Sequence, residues 1–136
     1  MLECMILGDS IAVGVSMQRP ECRTIAKSGI NSWSWVNQHI TKDLSADTVI
    51  ISLGANDHKG IKTKRELETI RSQVVAKQVF WISPGMERKP EAQAAIEEIA
   101  RQYGDIVLSR PKDQMSADGI HPTGRGYKTL ANQTKP

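Results

Sequence analysis

Five short apolar runs, each bounded by turn-forming residues, recur along this chain and alternate with segments of helical periodicity. The runs are rich in Val, Ile and Leu and are too short for helices, which is typical of strands buried on both faces of a parallel sheet. They lie at residues 5–7, 24–26, 49–53, 79–82 and 106–108. Strands that alternate with helices predict an α/β protein, a three-layer α/β/α flavodoxin-like fold with a five-stranded parallel sheet.

Helix signals occur between these runs and after the last one. Thr63 and Glu66 have the spacing of a capping box and predict the start of one helix. Another segment begins at Pro90, a residue suited to the first helical position, and ends at Gly104. The apolar pattern at 127–131 predicts a final helix that closes the chain.

A further helical segment lies between the second and third predicted strands and contains two tryptophans, for which we expect different positions. Trp33 shares a stripe with Val36 and Ile40, so we expect it in the core. Trp35 points elsewhere, so we expect partial burial against a neighbouring helix, with stacking on a bound sugar or acyl group as the alternative.

The size and charge of the chain exclude several classes of protein. The 136 residues suffice for one domain, which we expect to span 1–136. A net charge of +3 is too small and too scattered to indicate a nucleic-acid partner. No apolar stretch approaches the ~20 residues that span a bilayer, and the N-terminus lacks a signal-peptide pattern. We therefore expect a cytoplasmic protein, with a virion-associated or lysis-released protein as the alternative.

Two cysteines are present, and neither belongs to a CxxC or Cys/His cluster, so no metal site is expected. Cys4 lies in an apolar run and is expected to behave as a small buried hydrophobic residue. A Cys4–Cys22 disulfide is the less favoured alternative, because nothing in the sequence marks the chain as secreted.

Four polar motifs follow predicted strands or precede the last helix. In chain order they are Gly8-Asp9-Ser10, Ser28-Gly29-Ile30-Asn31, Gly54-Ala55-Asn56-Asp57 and Asp118-Gly119-Ile120-His121-Pro122. Each motif taken singly is also typical of a plain turn, and a serine in this position is also typical of a helix N-cap. Together, and in this order over nearly the whole chain, they resemble the SGNH, or GDSL, family of serine esterases and lipases.

The residues themselves support a nucleophile, a base and an orienting carboxylate. Ser10 lies at a strand-to-helix turn, where its hydroxyl can stand above the sheet. His121 is the candidate base, and Asp118, three residues earlier, can reach its Nδ1. The resemblance implies the same three catalytic roles. His58, after the third strand, is the less favoured base, because no carboxylate is placed to orient it.

The resemblance also implies an oxyanion hole and a substrate contact region. The oxyanion hole would use the backbone N–H groups of Ser10 and Gly29 and the side-chain amide of Asn56. Further substrate contacts are expected from Asn31, Trp35 and His58.

The function expected from this resemblance is hydrolysis of carboxylic esters through an acyl-serine intermediate. The short loops favour small acyl groups, such as O-acetyl on a carbohydrate. A short-chain lipase, thioesterase or lysophospholipase is the alternative, and a non-catalytic binding module on the same fold is less favoured. No cofactor is expected, the partner is a small-molecule or carbohydrate ester, and the chain is expected to be a monomer or a homodimer. A nucleotide-binding role is disfavoured, because no glycine-rich phosphate loop follows the first strand.

Overall fold

A five-stranded parallel sheet forms the centre of the structure, a computed structural model that describes all 136 residues. Its strands pair in the order β2-β1-β3-β4-β5, and all four pairings are parallel. The strands are β1 (Leu2–Gly8), β2 (Arg23–Ala26), β3 (Ala46–Ser52), β4 (Gln78–Ile82) and β5 (Ile106–Leu108). Each predicted apolar run lies in one of them, except that the third run extends one residue beyond β3, to Leu53, so the predicted sheet and fold class are confirmed.

Five α-helices connect or follow these strands. They are α1 (Ser10–Gln18), α2 (Ser32–His39), α3 (Thr63–Gln73), α4 (Pro90–Tyr103) and α5 (Gly124–Gln133). Pro90 is the first residue of α4 and Gly104 follows its last, as predicted. None of the five helices has both the length and the apolar composition needed to cross a bilayer.

The predicted capping box at the start of α3 is wrong. Lys62 occupies the N-cap position, and its side chain makes no capping hydrogen bond. The hydroxyl of Thr63 donates instead to Asp57 Oδ2, at 2.7 Å. The carboxylate of Asp57 is buried nearby and competes for the hydroxyl that the box would have used.

Apolar side chains cover both faces of the sheet. Along β1, Met5 and Leu7 belong to the cluster covered by α2, α3 and α4, whereas Cys4 and Ile6 belong to the cluster covered by α1 and α5. Because side chains alternate between the faces of a strand, a strand buried on both sides must be apolar at every position. The uninterrupted apolar runs of the sequence reflect this burial.

The two tryptophans of α2 do not have their predicted environments, because Trp35 and not Trp33 is the core residue. Trp35 is completely buried in the core and its Nε1–H donates to the Ile25 carbonyl oxygen at 3.0 Å, whereas Trp33 is 52% exposed. A helix of eight residues has scarcely two turns, so periodicity alone does not decide which face meets the sheet. The hydrogen bond to the Ile25 carbonyl oxygen favours Trp35 as the core residue.

A disulfide joins Cys4 to Cys22, which corrects the expectation of a free Cys4. Parallel pairing places Met5 opposite Arg23 and so brings the two cysteines together, with their Cα atoms 4.8 Å apart. Glu21 lies beside the sulfur atoms, but these are bonded to each other and provide no thiolate for a metal. Disulfides persist mainly in oxidising compartments, and the cytoplasmic location expected from the sequence stays a prediction.

Reduction of the disulfide is expected to destabilise the protein by about 3 kcal/mol, because the bond closes a loop of roughly the length for which that figure holds. We expect the melting temperature to fall by roughly 10 °C when a reducing agent is added. The double variant Cys4→Ala/Cys22→Ala is the control, because its melting temperature should not respond to the reductant. Two reactive thiols in the denatured, unreduced protein would contradict the bond.

Candidate active site

The candidate site lies at the carboxyl ends of the central strands, where the connections after β1 and β3 run to opposite faces of the sheet. Such a switch point is where open α/β sheets bind their ligands. A cavity of about 300 Å³ opens there and is lined by Ser10, Asn56, Arg110 and His121. The cavity therefore collects residues that lie far apart in the sequence.

The turn after β1 presents Ser10 at this cavity. Gly8 has a φ of 146°, and a Cβ there would collide with the carbonyl oxygen of Ser52. The N–H of Asp9 donates to the same oxygen at 3.0 Å. The carboxylate of Asp9 accepts from the N–H of Ile11 and caps α1, so Ser10 is the first helical residue and not the cap.

Three side chains form a continuous hydrogen-bond relay. Ser10 Oγ lies 2.9 Å from His121 Nε2, and His121 Nδ1 lies 2.9 Å from Asp118 Oδ2. When Nδ1 carries the proton and donates to Asp118, Nε2 is free to accept the proton of the Ser10 hydroxyl. The structure thus brings the three predicted catalytic residues together in the order that nucleophile activation requires.

The loop that carries His121 stabilises the ionised form of Asp118. Asp118 Oδ1 accepts from the N–H of His121 at 3.0 Å and from the N–H of Ile120 at 2.8 Å. The backbone N–H of His121, its ring and the N–H of Ile120, in that order, hold the pKa of Asp118 well below its usual range. Asp118 therefore remains a carboxylate, able to orient the imidazole, even though it is exposed.

The predicted oxyanion donors differ in position. Asn56 lines the same cavity as Ser10, and its Nδ2 donates to the Ile30 carbonyl oxygen at 3.1 Å, which leaves a second amide hydrogen free. The backbone N–H groups of Ser10 and Gly29 have no acceptor within the protein. Gly29 has a φ of 82° and open space where a Cβ would be, but it does not line this cavity.

Asp57 connects the loops that carry these donors. Its buried carboxylate accepts from the N–H and hydroxyl of Ser32 and from the hydroxyl of Thr63. Because Ser32 follows β2 and Asp57 follows β3, the contact holds the two loops beside each other. Asp57 therefore has a structural, hydrogen-bonding role.

The three predicted substrate contacts have different outcomes. A contact through Trp35 is wrong, because this side chain is wholly buried in the core. Asn31 caps α2 through a bond with the Ser34 N–H, and it lines a neighbouring cavity together with His58. His58 is exposed and its Nδ1 lies 3.0 Å from the Lys59 carbonyl oxygen, outside the cavity that contains Ser10.

Three cationic residues of this cavity were not predicted from the sequence as site residues. Arg88 and Lys89 belong to the loop after β4, and Arg110 follows β5. Arg110 Nη1 donates to the Ile120 carbonyl oxygen at 2.7 Å, so it supports the loop that carries His121. The position of Arg110 just beyond a strand end is the signal that could have found it.

Burial shifts the pKa values of two charged side chains that line the cavity, Asp9 and Arg110. Desolvation raises the pKa of Asp9, although hydrogen bonds from Ser52 and the start of α1, and the charge of Arg110, oppose the rise. Desolvation also lowers the pKa of Arg110. One carboxylate oxygen of Asp9 and the Nε of Arg110 are buried without a hydrogen-bond partner.

Several solved structures share this fold at low sequence identity. A proposed acylhydrolase from Bacteroides fragilis has a TM-score of 0.64 and 17% identity, with 96% of this chain and 83% of that chain covered. The C-terminal catalytic domain of peptidoglycan O-acetyltransferase A from Streptococcus pneumoniae, solved with a methylsulfonyl adduct, has a TM-score of 0.61 and 15% identity over 96% and 88% of the two chains. A carbohydrate acetylesterase family member from Sinorhizobium meliloti has a TM-score of 0.57 and 11% identity over 96% and 94%.

No protein-family model and no curated protein sequence matches the chain. The structural likeness nevertheless extends over nearly the whole chain, and the order of the strands is that of the predicted flavodoxin-like sheet. The chain therefore has the fold of the SGNH hydrolases.

Proposed function

We propose that this protein is a serine esterase that hydrolyses carboxylic esters through an acyl-Ser10 intermediate. The observation that carries the proposal is the hydrogen-bond relay from Ser10 through His121 to Asp118 at the wall of an open cavity. A serine used only for structure would not need an imidazole on its hydroxyl and a carboxylate behind that imidazole.

In the first step, Ser10 Oγ attacks the ester carbonyl carbon while His121 Nε2 takes the hydroxyl proton. The carbonyl oxygen becomes an oxyanion, and Asp118 stabilises the imidazolium that forms. When the tetrahedral intermediate collapses, the bond to the leaving alcohol breaks and His121 donates its proton to that alcohol. The acyl group then remains on Ser10.

In the second step, His121 activates a water molecule that attacks the acyl-Ser10 carbonyl. The carboxylic acid leaves, and the proton held by His121 returns to Ser10 Oγ. The oxyanion in both steps would be stabilised by the free amide hydrogen of Asn56 and the unpaired N–H of Ser10, with the N–H of Gly29 as the third donor.

The lining of the cavity favours a short acyl group on a polar substrate. A long acyl chain needs an apolar tunnel, whereas Arg88, Lys89, Arg110 and Asn56 face this cavity. One structural neighbour is a carbohydrate acetylesterase family member. We therefore propose O-acetyl groups on a carbohydrate as the substrate.

Hydrolysis of p-nitrophenyl acetate and p-nitrophenyl octanoate tests this choice. We expect kcat/KM to favour acetate by at least about tenfold, because the octanoyl chain finds little apolar surface to cover it. A preference for octanoate would support a lipase or thioesterase instead. No turnover of either ester, together with no labelling of Ser10 by a fluorophosphonate, would support a non-catalytic binding module.

Activity is expected to fall in a single step as the pH is lowered, because the base must be unprotonated to take the proton of Ser10. The depressed pKa of Asp118 keeps that carboxylate ionised well into the acid range, so the fall reports protonation of the base alone. We therefore expect kcat/KM for p-nitrophenyl acetate to fall about tenfold per pH unit on the acid side. A profile that is flat from acid to neutral pH would contradict His121 as the base.

Measurement of the melting temperature over the same pH range separates this effect from unfolding. The depressed pKa means that ionised Asp118 favours the folded state. This contribution is present above the ordinary carboxyl pKa of 3.8 and is lost only as the pH falls through the lower pKa of the folded state. Asp118 therefore causes no loss of stability in the range where activity declines.

A further inference from the structure

The catalytic cavity is one end of a longer groove. It shares Arg88 and Lys89 with a second cavity of about 490 Å³. The second cavity shares His58 and Ile61 with a third, of about 420 Å³, which has Trp33 in its wall. These three adjoining cavities are called the groove below. The groove is much larger than an acetyl ester requires.

Positive charge recurs along the whole groove. Its six lysine and arginine side chains are Lys59, Lys62, Arg65, Arg88, Lys89 and Arg110. Among them, Lys59, Lys62 and Arg88 form no ion pair, and Arg65 approaches Glu66 only at 4.0 Å. By contrast, Lys64 does not line the groove and is paired with Glu98 at 2.9 Å. Lys59, Lys62 and Arg88 are therefore available to an anionic ligand, whereas Lys89 and Arg110 already donate to backbone carbonyl oxygens.

The acidic side chains of the groove do little to offset this charge. Asp57 and Asp9 are buried and are hydrogen-bonded to neighbouring groups. Glu91 is the exposed carboxylate. A groove of this charge attracts anions and raises their local concentration.

Trp33 forms a flat wall at the end of the groove far from Ser10. Its side chain is 52% exposed, and Lys62 and Arg65 line the same cavity. An exposed indole presents a broad apolar face that can stack on the face of a sugar ring. The cations beside it can pair with a carboxylate carried by that sugar.

We propose that the groove binds an extended anionic polysaccharide and presents an ester on one of its sugars to Ser10. This inference rests on the proposed esterase function and names its substrate class. A polysaccharide fits better than a nucleic acid, because the groove has one exposed tryptophan rather than a series of stacking side chains and leads to a site built for ester chemistry. The cationic residues would recognise the charge of the polymer, and Trp33 would recognise a sugar ring.

Binding to the Ser10→Ala variant tests the groove without any turnover. The probes are polygalacturonate, which is anionic, and glucomannan, which is neutral. We expect polygalacturonate to bind at least about tenfold more tightly than glucomannan, and we expect this preference to shrink as NaCl is raised from 0.05 to 0.5 M, because salt screens exposed charges.

A comparison of activity on a polymer with activity on a small ester shows which residues bind the polymer. The ratio compares kcat/KM for chemically O-acetylated polygalacturonate with kcat/KM for p-nitrophenyl acetate. We expect the ratio to fall about tenfold in Trp33→Ala and about tenfold in Lys62→Gln/Arg65→Gln. The control Arg23→Gln/Arg101→Gln removes the same charge from exposed positions outside the groove and should leave the ratio unchanged. All the replaced side chains are exposed, so the melting temperature should stay within about 2 °C of the wild type.

Several results would overturn the inference. These are equal binding of polygalacturonate and glucomannan, equal ratios in the groove and control variants, or binding of a single-stranded RNA of matched charge at least as tight as that of polygalacturonate. If the protein hydrolyses no ester while Ser10→Ala still binds polygalacturonate selectively, the esterase proposal fails together with the presentation of an ester to Ser10, and only the binding of an anionic polysaccharide by the groove stands. If p-nitrophenyl acetate is hydrolysed and the polymer does not bind, only the groove inference fails.

Discussion

Replacement of Ser10 by alanine is expected to lower kcat for p-nitrophenyl acetate by at least about 10⁴-fold, because no other group in the relay can carry the acyl intermediate. The fold should be unaffected. The Ser10 hydroxyl contacts only His121, and the cap of α1 is supplied by Asp9. We therefore expect a melting temperature within about 2 °C of the wild type, measured on the same preparation as the kinetics.

Ser16→Ala is the matched control for this substitution. Ser16 lies in the same helix, and its hydroxyl donates to the Val13 carbonyl oxygen, so the change removes a hydroxyl of the same kind outside the relay. His121→Ala should lose about as much activity as Ser10→Ala, and the double variant little more, because residues that act as a unit are not additive. Ser10→Ala with near wild-type turnover would remove the acyl-serine mechanism.

The second large effect is expected from Asn56→Ala, with a fall of about 10²–10³-fold in kcat and little change in KM. The free amide hydrogen of Asn56 meets charge that develops only in the transition state, whereas the uncharged substrate needs it little. The loss of its bond to the Ile30 carbonyl oxygen should cost only about 1 kcal/mol of stability, because the side chain is exposed.

Asn37→Ala separates the catalytic from the structural part of this effect. Asn37 is exposed and its Nδ2 donates to the Trp33 carbonyl oxygen at 2.8 Å, which is the same kind of bond as the one Asn56 makes. Both variants should lose similar stability, but only Asn56→Ala should lose kcat. A collapse of the melting temperature in Asn56→Ala alone would show that Asn56 is structural and would remove the oxyanion assignment.

The local chemistry of the proposed catalytic relay could be predicted in part from the sequence. Asp118 and His121 are three residues apart, so one short loop places the carboxylate on the imidazole. Ser10 comes three residues after the end of an apolar run, and such runs end at one edge of a parallel sheet. The positions of the strands could be predicted for the same reason, since burial on both faces requires uninterrupted apolar residues.

The environments of residues whose partners lie far away in the sequence could not be predicted from local pattern. Thr63 was predicted to cap α3, but its hydroxyl donates to the buried Asp57. Only the packing of the loops after β2 and β3 places Asp57 within reach of this hydroxyl. The apolar stripe of α2 favoured Trp33 for the core, but contact with the Ile25 carbonyl oxygen selects Trp35. The disulfide depended on the register between β1 and β2.

The sequence by itself therefore determined the five strands and the layered fold, which follow from burial, and the pairing of Asp118 with His121, which lie three residues apart. Ser10 was added to this pair by the order of the four motifs and the family that they resemble. The tertiary structure decided the environment of the relay. The bond between Ser10 and His121 spans 111 residues, and Arg88 and Arg110 reach the same cavity from different strand ends. Such contacts depend on how strands pair and helices pack, and side-chain periodicity along one segment carries no information about them.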